Sequence, residues 1–106
     1  MKSNLQLSRI DDSILEALPS PCWLLEESLL ERNLKILRDI ADRSDTKILL
    51  ALKGYAMWHS FDLVGEYLDG CCASGLHEAL LGAQELKKEV HTYSPAYREE
   101  DLDAIA

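Results

Sequence analysis

Apolar positions along the chain follow two alternating patterns. Leu30, Leu34, Leu37 and Ala41 recur at the i, i+4, i+7 and i+11 spacing of one helical face, with Glu31, Arg32, Lys35, Arg38 and Asp39 between them. Ser28 and Glu31 stand at the capping-box spacing, which predicts a helix from Ser28 to about Arg43–Asp45. The run Ile48-Leu49-Leu50-Ala51-Leu52 is different: it does not alternate, and Lys47 and Lys53 bracket it. A short uninterrupted apolar run predicts a strand covered on both faces, as in a parallel sheet. Met57, Phe61, Val64 and Leu68 then repeat the helical spacing, and Asp69-Gly70 is predicted to end that helix with Gly70 in the left-handed conformation.

The same alternation continues to the end of the chain. Cys71-Cys72-Ala73 reads as a second strand, and Ser74 is a candidate cap for a third helix whose apolar face is Leu76, Ala79, Leu80, Ala83 and Leu86. Glu89 to Tyr93 gives a third strand, and Ser94-Pro95 opens a loop. Arg98-Glu99-Glu100-Asp101 begins a fourth helix with acids in its first turn, where the helix dipole favours them. Upstream, Asp12 or Ser13 is predicted to cap a short helix through Leu18 that Pro19 stops. Cys22-Trp23-Leu24-Leu25 reads as a short extended segment. The division is a lead-in over residues 1–20 and an α/β domain over 21–106.

Strands that end near Lys53, Ser74 and Ser94, each followed by a helix, predict βα units and a parallel sheet. Three such strands cannot close an eight-stranded barrel, which takes about 200–250 residues, and they leave open edges. The 106-residue chain is therefore expected to be the N-terminal portion of a larger α/β protein, in preference to an unusually small three-layer domain.

Composition narrows the class of partner. Hydrophobic residues at 47% and charged residues at 28% lie in the globular range and exclude a disordered chain. With 11 Lys+Arg against 19 Asp+Glu the net charge is −8, which argues against nucleic acid. Charges interrupt every apolar run well short of the roughly 18 residues of a membrane span. The opening Met1-Lys2-Ser3-Asn4-Leu5-Gln6-Leu7 lacks the apolar stretch of a signal peptide. Cys22, Cys71 and Cys72 make an odd set with one adjacent pair and no disulfide framework, which points to the cytoplasm.

Lys53 is the residue most open to chemistry. It follows an apolar strand and precedes Gly54, which places its amine at the carboxyl mouth of a parallel sheet, where such folds bind ligands. Partial burial disfavours an ammonium ion, and a neutral amine attacks an aldehyde carbon to form a Schiff base. The alternative is a lysine whose stem covers apolar neighbours while its head reaches water. Cys71 and Cys72, as neighbours on a strand, point to opposite faces and read as structural. His59, His77 and His91 have no metal-ligand spacing. Glu78 either buttresses a site or is an ordinary exposed helical acid, and Tyr93-Ser94-Pro95-Ala96-Tyr97 is either a ligand wall or packing.

The segment from Ile48 to Trp58, with Leu52-Lys53-Gly54-Tyr55-Ala56-Met57-Trp58 at its centre, resembles the pyridoxal-phosphate lysine motif of carboxynorspermidine/carboxyspermidine decarboxylases, relatives of the ornithine and diaminopimelate decarboxylases and of alanine racemase. Pro19 to Leu25, Tyr67 to Ser74 with Glu78-Ala79, and Glu89 to Tyr97 resemble the same family in the same order. The resemblance covers about residues 10–106. It implies an α/β fold, the N-terminal portion of a (β/α)8 barrel, with about three parallel strands alternating with helices here. It also implies that Lys53 binds pyridoxal 5'-phosphate covalently and acts in catalysis. The implied reaction removes carbon dioxide from a carboxylated polyamine to yield norspermidine or spermidine, in a cytoplasmic homodimer. Cys71 stands where ornithine decarboxylases carry a carboxylate, which favours the carboxynorspermidine branch. The family's glycine-rich phosphate loop, pyridine-facing acid and ring-stacking histidine fall beyond residue 106, so these residues alone are expected to be inactive. The rival readings are another decarboxylase of the superfamily, a pyridoxal-phosphate carrier, and a small non-enzymatic interaction module.

Overall fold

The computed structural model describes residues 10–106. Asp12–Ala17 form α1, and its cap is Asp11, one residue earlier than predicted, whose carboxylate accepts the Ser13 N–H at 3.1 Å. The Cys22–Leu25 segment is irregular and joins no sheet, and Trp23 is 95% exposed.

Glu27–Ser44 form α2, closed by Asp45 in the left-handed conformation. The capping box does not form. Glu31 turns instead to the Tyr67 hydroxyl, which donates to it at 2.7 Å, and to Lys35 at 3.2 Å. The predicted apolar face is used in part: Leu34 and Ala41 are buried and Leu30 packs against the core, while Leu37 is exposed.

The first strand, β1, is Leu49–Ala51, and the second and third are β2, Gly70–Ala73, and β3, Glu89–Thr92. They form one parallel sheet in the order β1-β2-β3, with Leu50 opposite Cys71 and Cys71 opposite Val90. Among the described residues, helices cover one face only. The row Leu50, Cys71 and Val90 packs into the core with Leu34, Leu52, Phe61, Val64, Leu68 and Leu86. The row Ala51, Cys72 and His91 lies on the other face and is exposed. The expectation of burial on both faces is thus corrected, because these residues supply helices to one side alone. The opposed environments of Cys71 and Cys72 follow from strand alternation.

After β1 a 3₁₀ turn, Trp58–Ser60, leads into α3, Phe61–Tyr67, so Met57 lies ahead of the helix it was assigned to. Gly70 is the first residue of β2 and not a left-handed cap. Its glycine identity has another cause: a Cβ there would lie 2.1 Å from the Glu89 carbonyl oxygen. Leu76–Leu81 form α4, which continues as a π turn over Gly82–Leu86. The wider turn shifts the inward phase, so Gly82 and Leu86 are buried while the predicted Ala83 is exposed. Glu99–Ile105 form α5 with its three acids in the first turn.

At the amino end of the sheet, Asp69 ties the layers together. Its carboxylate accepts the Ile48 N–H at 3.0 Å and pairs with Arg38 of α2 at 3.3 Å. These contacts, the Ile48 N–H foremost, hold its carboxyl below the usual carboxylate range.

Candidate active site at the carboxyl end of the sheet

Lys53 sits two residues past the end of β1, on a turn. The Gly54 and Tyr55 N–H groups both fold back onto the Ala51 carbonyl, at 3.0 and 3.1 Å. Neighbouring Leu52 is buried in the core, whereas Lys53 is exposed and has no hydrogen-bond or ion-pair partner among the described residues. The strand is therefore shorter than the apolar run suggested. Lys53 is set apart by its place just past the strand end and not by burial.

The loop after Lys53 is braced from within. Ser60, buried, donates to the Met57 carbonyl at 2.7 Å, and the Tyr55 hydroxyl meets the Ser60 hydroxyl at 2.6 Å. Trp58 stacks on His59 with ring centres 3.6 Å apart. The strand ends beside it align: the Leu52 N–H donates to the Cys72 carbonyl at 3.1 Å, and the Tyr93 N–H to the Ala73 carbonyl at 3.0 Å. Lys53, Ser74 and Tyr93 therefore stand along one rim. Ser74 does not cap α4, since Gly75 holds the cap position; the Ser74 N–H instead donates to Glu78 at 2.7 Å. Tyr93 is exposed, and the Tyr97 hydroxyl is buried without a partner among the described residues. Burial pushes the Cys71 thiol up from its ordinary pKa, as suits a packed core residue.

A second polar set lies on the open face toward the opposite end. Glu89 of β3 binds Lys47 at 2.5 Å through one oxygen and His91 at 2.6 Å through the other. Lys47, with His91 behind it, holds the Glu89 carboxyl below its usual range. The pairing of Glu89 with His91 was foreshadowed by their two-residue spacing, which puts both on one face of a strand. Lys47 joins them only because β1 and β3 flank the same strand. Among the described residues no group of His, Cys, Asp and Glu could hold a metal ion, and no helix is long and apolar enough to cross a membrane.

Known proteins resemble this chain in sequence and in fold. Carboxynorspermidine/carboxyspermidine decarboxylase of Campylobacter jejuni is 44% identical over 91 residues, which are 86% of this chain and 24% of that protein. The crystal structure of carboxynorspermidine decarboxylase from Campylobacter jejuni, complexed with norspermidine, matches with a TM-score of 0.81 at 43% identity, over 83% of this chain and 24% of that one. The chain is a relative of the carboxynorspermidine/carboxyspermidine decarboxylases. It spans about a quarter of the length of the curated relatives it matches. Its three parallel strands and their helices correspond to the N-terminal part of that barrel enzyme. Carboxyaminopropylagmatine decarboxylase of Synechocystis is 43% identical over 103 residues, 97% of this chain and 27% of that protein. Likeness at this level therefore spans decarboxylases named for different carboxylated amines. A scan against models of protein families finds no match.

Proposed function

We propose that this chain supplies the cofactor-bearing lysine and part of the site rim of a pyridoxal-phosphate-dependent decarboxylase of carboxylated polyamines. The observation that carries the reading is Lys53: an exposed amine, free of partners among the described residues, on a turn just past the carboxyl end of a parallel strand. Among the described lysines it alone stands at that end. Lys47 precedes β1, Lys87 and Lys88 precede β3, and Lys35 lies on α2.

The residues present fit a covalent anchor. Lys53 offers an amine without a partner among the described residues, on a turn that is open at Gly54, where a Cβ would meet only the Ala51 carbonyl oxygen, at 3.5 Å, outside its chain neighbours. When bound, pyridoxal phosphate supplies an electron sink for the pair left on carbon as carbon dioxide departs. The chain's own part is to hold Lys53 at the mouth, to brace the following loop through Tyr55 and Ser60, and to line the rim with Ser74 and Tyr93. In this reading residues 1–20 form the lead-in and residues 21–106 the first part of the barrel domain, in a homodimeric cytoplasmic protein. The unpaired thiols of Cys22, Cys71 and Cys72 suit a reducing compartment. The relatives' names support a decarboxylated polyamine as product, carboxynorspermidine, carboxyspermidine and carboxyaminopropylagmatine being the candidate substrates.

Reduction of the intact protein with borohydride in the presence of pyridoxal phosphate, followed by peptide mapping, tests this. The label is expected on Lys53 and is lost in Lys53→Ala. Label on Lys47, or on no lysine, overturns the assignment. Assay of the three carboxylated amines then identifies the substrate.

A further inference from the structure

Glu78 takes no part in the attachment proposed for Lys53, yet its carboxylate is bonded into the same rim. Its Oε2 accepts the Ser74 N–H at 2.7 Å. That N–H has a competing acceptor. In a parallel ladder a residue that receives a bond from one neighbour donates to the residue two places earlier on the same neighbouring strand. Here the Leu52 N–H donates to the Cys72 carbonyl at 3.1 Å, so the next bond in the series would run from the Ser74 N–H to the Leu52 carbonyl. Glu78 takes that N–H instead. The β1–β2 ladder stops below Ser74, and the chain after Ala51 folds into the turn that carries Lys53. On its other side β2 makes its last bond one residue on, the ordinary stagger of a strand between two neighbours, with the Tyr93 N–H on the Ala73 carbonyl at 3.0 Å. The bond the β1–β2 ladder lacks at the level of Lys53 is thus the one whose donor Glu78 holds.

We propose that Glu78 is a positioning residue for Lys53: by holding the Ser74–Gly75 turn out of the ladder, it keeps β1 and β2 apart at the mouth and sets the turn that presents the amine. The proposal rests on the reading of Lys53 as the attachment lysine. Glu78→Ala removes the competing acceptor and lets the Ser74 N–H reach the Leu52 carbonyl. Glu78→Gln keeps an acceptor oxygen in place and discards only the charge.

The intact protein and these two variants are mixed with pyridoxal phosphate and quenched with borohydride at intervals, and the adduct on Lys53 is quantified by peptide mapping. Hydrogen exchange across residues 46–52 reports whether the sheet is intact. The adduct is expected to form more slowly in Glu78→Ala, by up to about 100-fold, the scale of a misplacement of about 1 Å. Glu78→Gln should stay close to the unaltered protein in both adduct rate and exchange. An unchanged rate in Glu78→Ala overturns the proposal, as does an equal loss in both variants. If Glu78→Ala opens the sheet, a Glu78→Gln rate matching the unaltered protein upholds the proposal and a reduced rate overturns it. Absence of any Lys53 adduct in the unaltered protein overturns the attachment reading itself, and is thereby told apart from failure of the Glu78 role alone.

Discussion

Substituting Gly82→Ala sets two opposed effects against each other. Gly82 has helical dihedrals, φ −61° and ψ −44°, so alanine fits the backbone and its helix propensity gains about 1 kcal/mol. The added Cβ, however, would lie 2.5 Å from the Cys71 Sγ, with Val90 Cγ2 at 3.3 Å and Leu52 Cδ1 at 3.7 Å closing the other sides. Carbon atoms in good contact sit about 3.5–4.0 Å apart, so the thiol is about 1 Å too near. Cys71 is fully buried at the centre of the sheet, and its side chain has one short arm to move. Overpacking of this kind costs about 1–3 kcal/mol, and the contact is severe enough for the upper half of that range. The expected net loss is about 1–2 kcal/mol. Cys71→Ala empties the position the new methyl needs. The double variant should therefore be more stable than the sum of the single losses allows, by about 1–3 kcal/mol of coupling. Urea unfolding of the unaltered chain, both single variants and the double variant, all of the same length, measures the cycle. A Gly82→Ala variant stabilised by about 1 kcal/mol, as at an unobstructed helical glycine, would refute the packing argument. Strict additivity would refute it equally.

Two further outcomes follow from neighbouring contacts. Gly70→Ala should destabilise more than Gly82→Ala, because its Cβ meets the Glu89 carbonyl oxygen at 2.1 Å and no side-chain rotation relieves a clash with backbone; hydrogen exchange should show β3 amides opening, and protection equal to the unaltered chain would contradict this. Acid should weaken the fold through Asp69 and Glu89, whose carboxyls are held below their usual values by the Ile48 N–H with Arg38 and by Lys47 with His91. A carboxyl with a depressed folded pKa adds stability that is present above its unfolded value of about 4 and is lost as pH falls through the folded pKa. The urea midpoint should therefore drop below about pH 4, and Asp69→Asn with Glu89→Gln should flatten the drop; an equal drop in that double variant would show that other groups carry it.

The helical faces and the order of strands were legible because each rests on periodicity, which burial enforces. Leu34, Ala41, Phe61 and Val64 all point inward as their spacing requires. What the sequence hid was decided by competition between partners. Ser28 and Glu31 have capping spacing, but Glu31 finds the Tyr67 hydroxyl, whose position depends on how α3 packs against α2. Ser74 looks like a cap because of its type, yet its N–H is claimed by Glu78 and Gly75 takes the cap position. The π turn at Gly82 shifts the inward face after Leu81, and no residue type announces that shift. Lys53 was legible as a rim residue from the strand and the glycine around it. Its lack of burial was not, since exposure depends on what else covers the mouth. The Lys47–Glu89–His91 set needed the register of three strands before its members could meet.

Leu52 and Lys53 are adjacent, one buried in the core and the other in the open. Their contrast makes the boundary a proofreading step in folding. A slip of β1 by one residue against β2 would carry every side chain to the opposite face. Lysine would then enter an apolar core and leucine would face water, forfeiting about 1.5–3 kcal/mol for the leucine alone and the solvation of the ammonium besides. Misaligned sheets are thereby disfavoured at the position where misalignment would also misplace the amine. The make-up of the core and the placing of the amine thus meet at a single peptide bond.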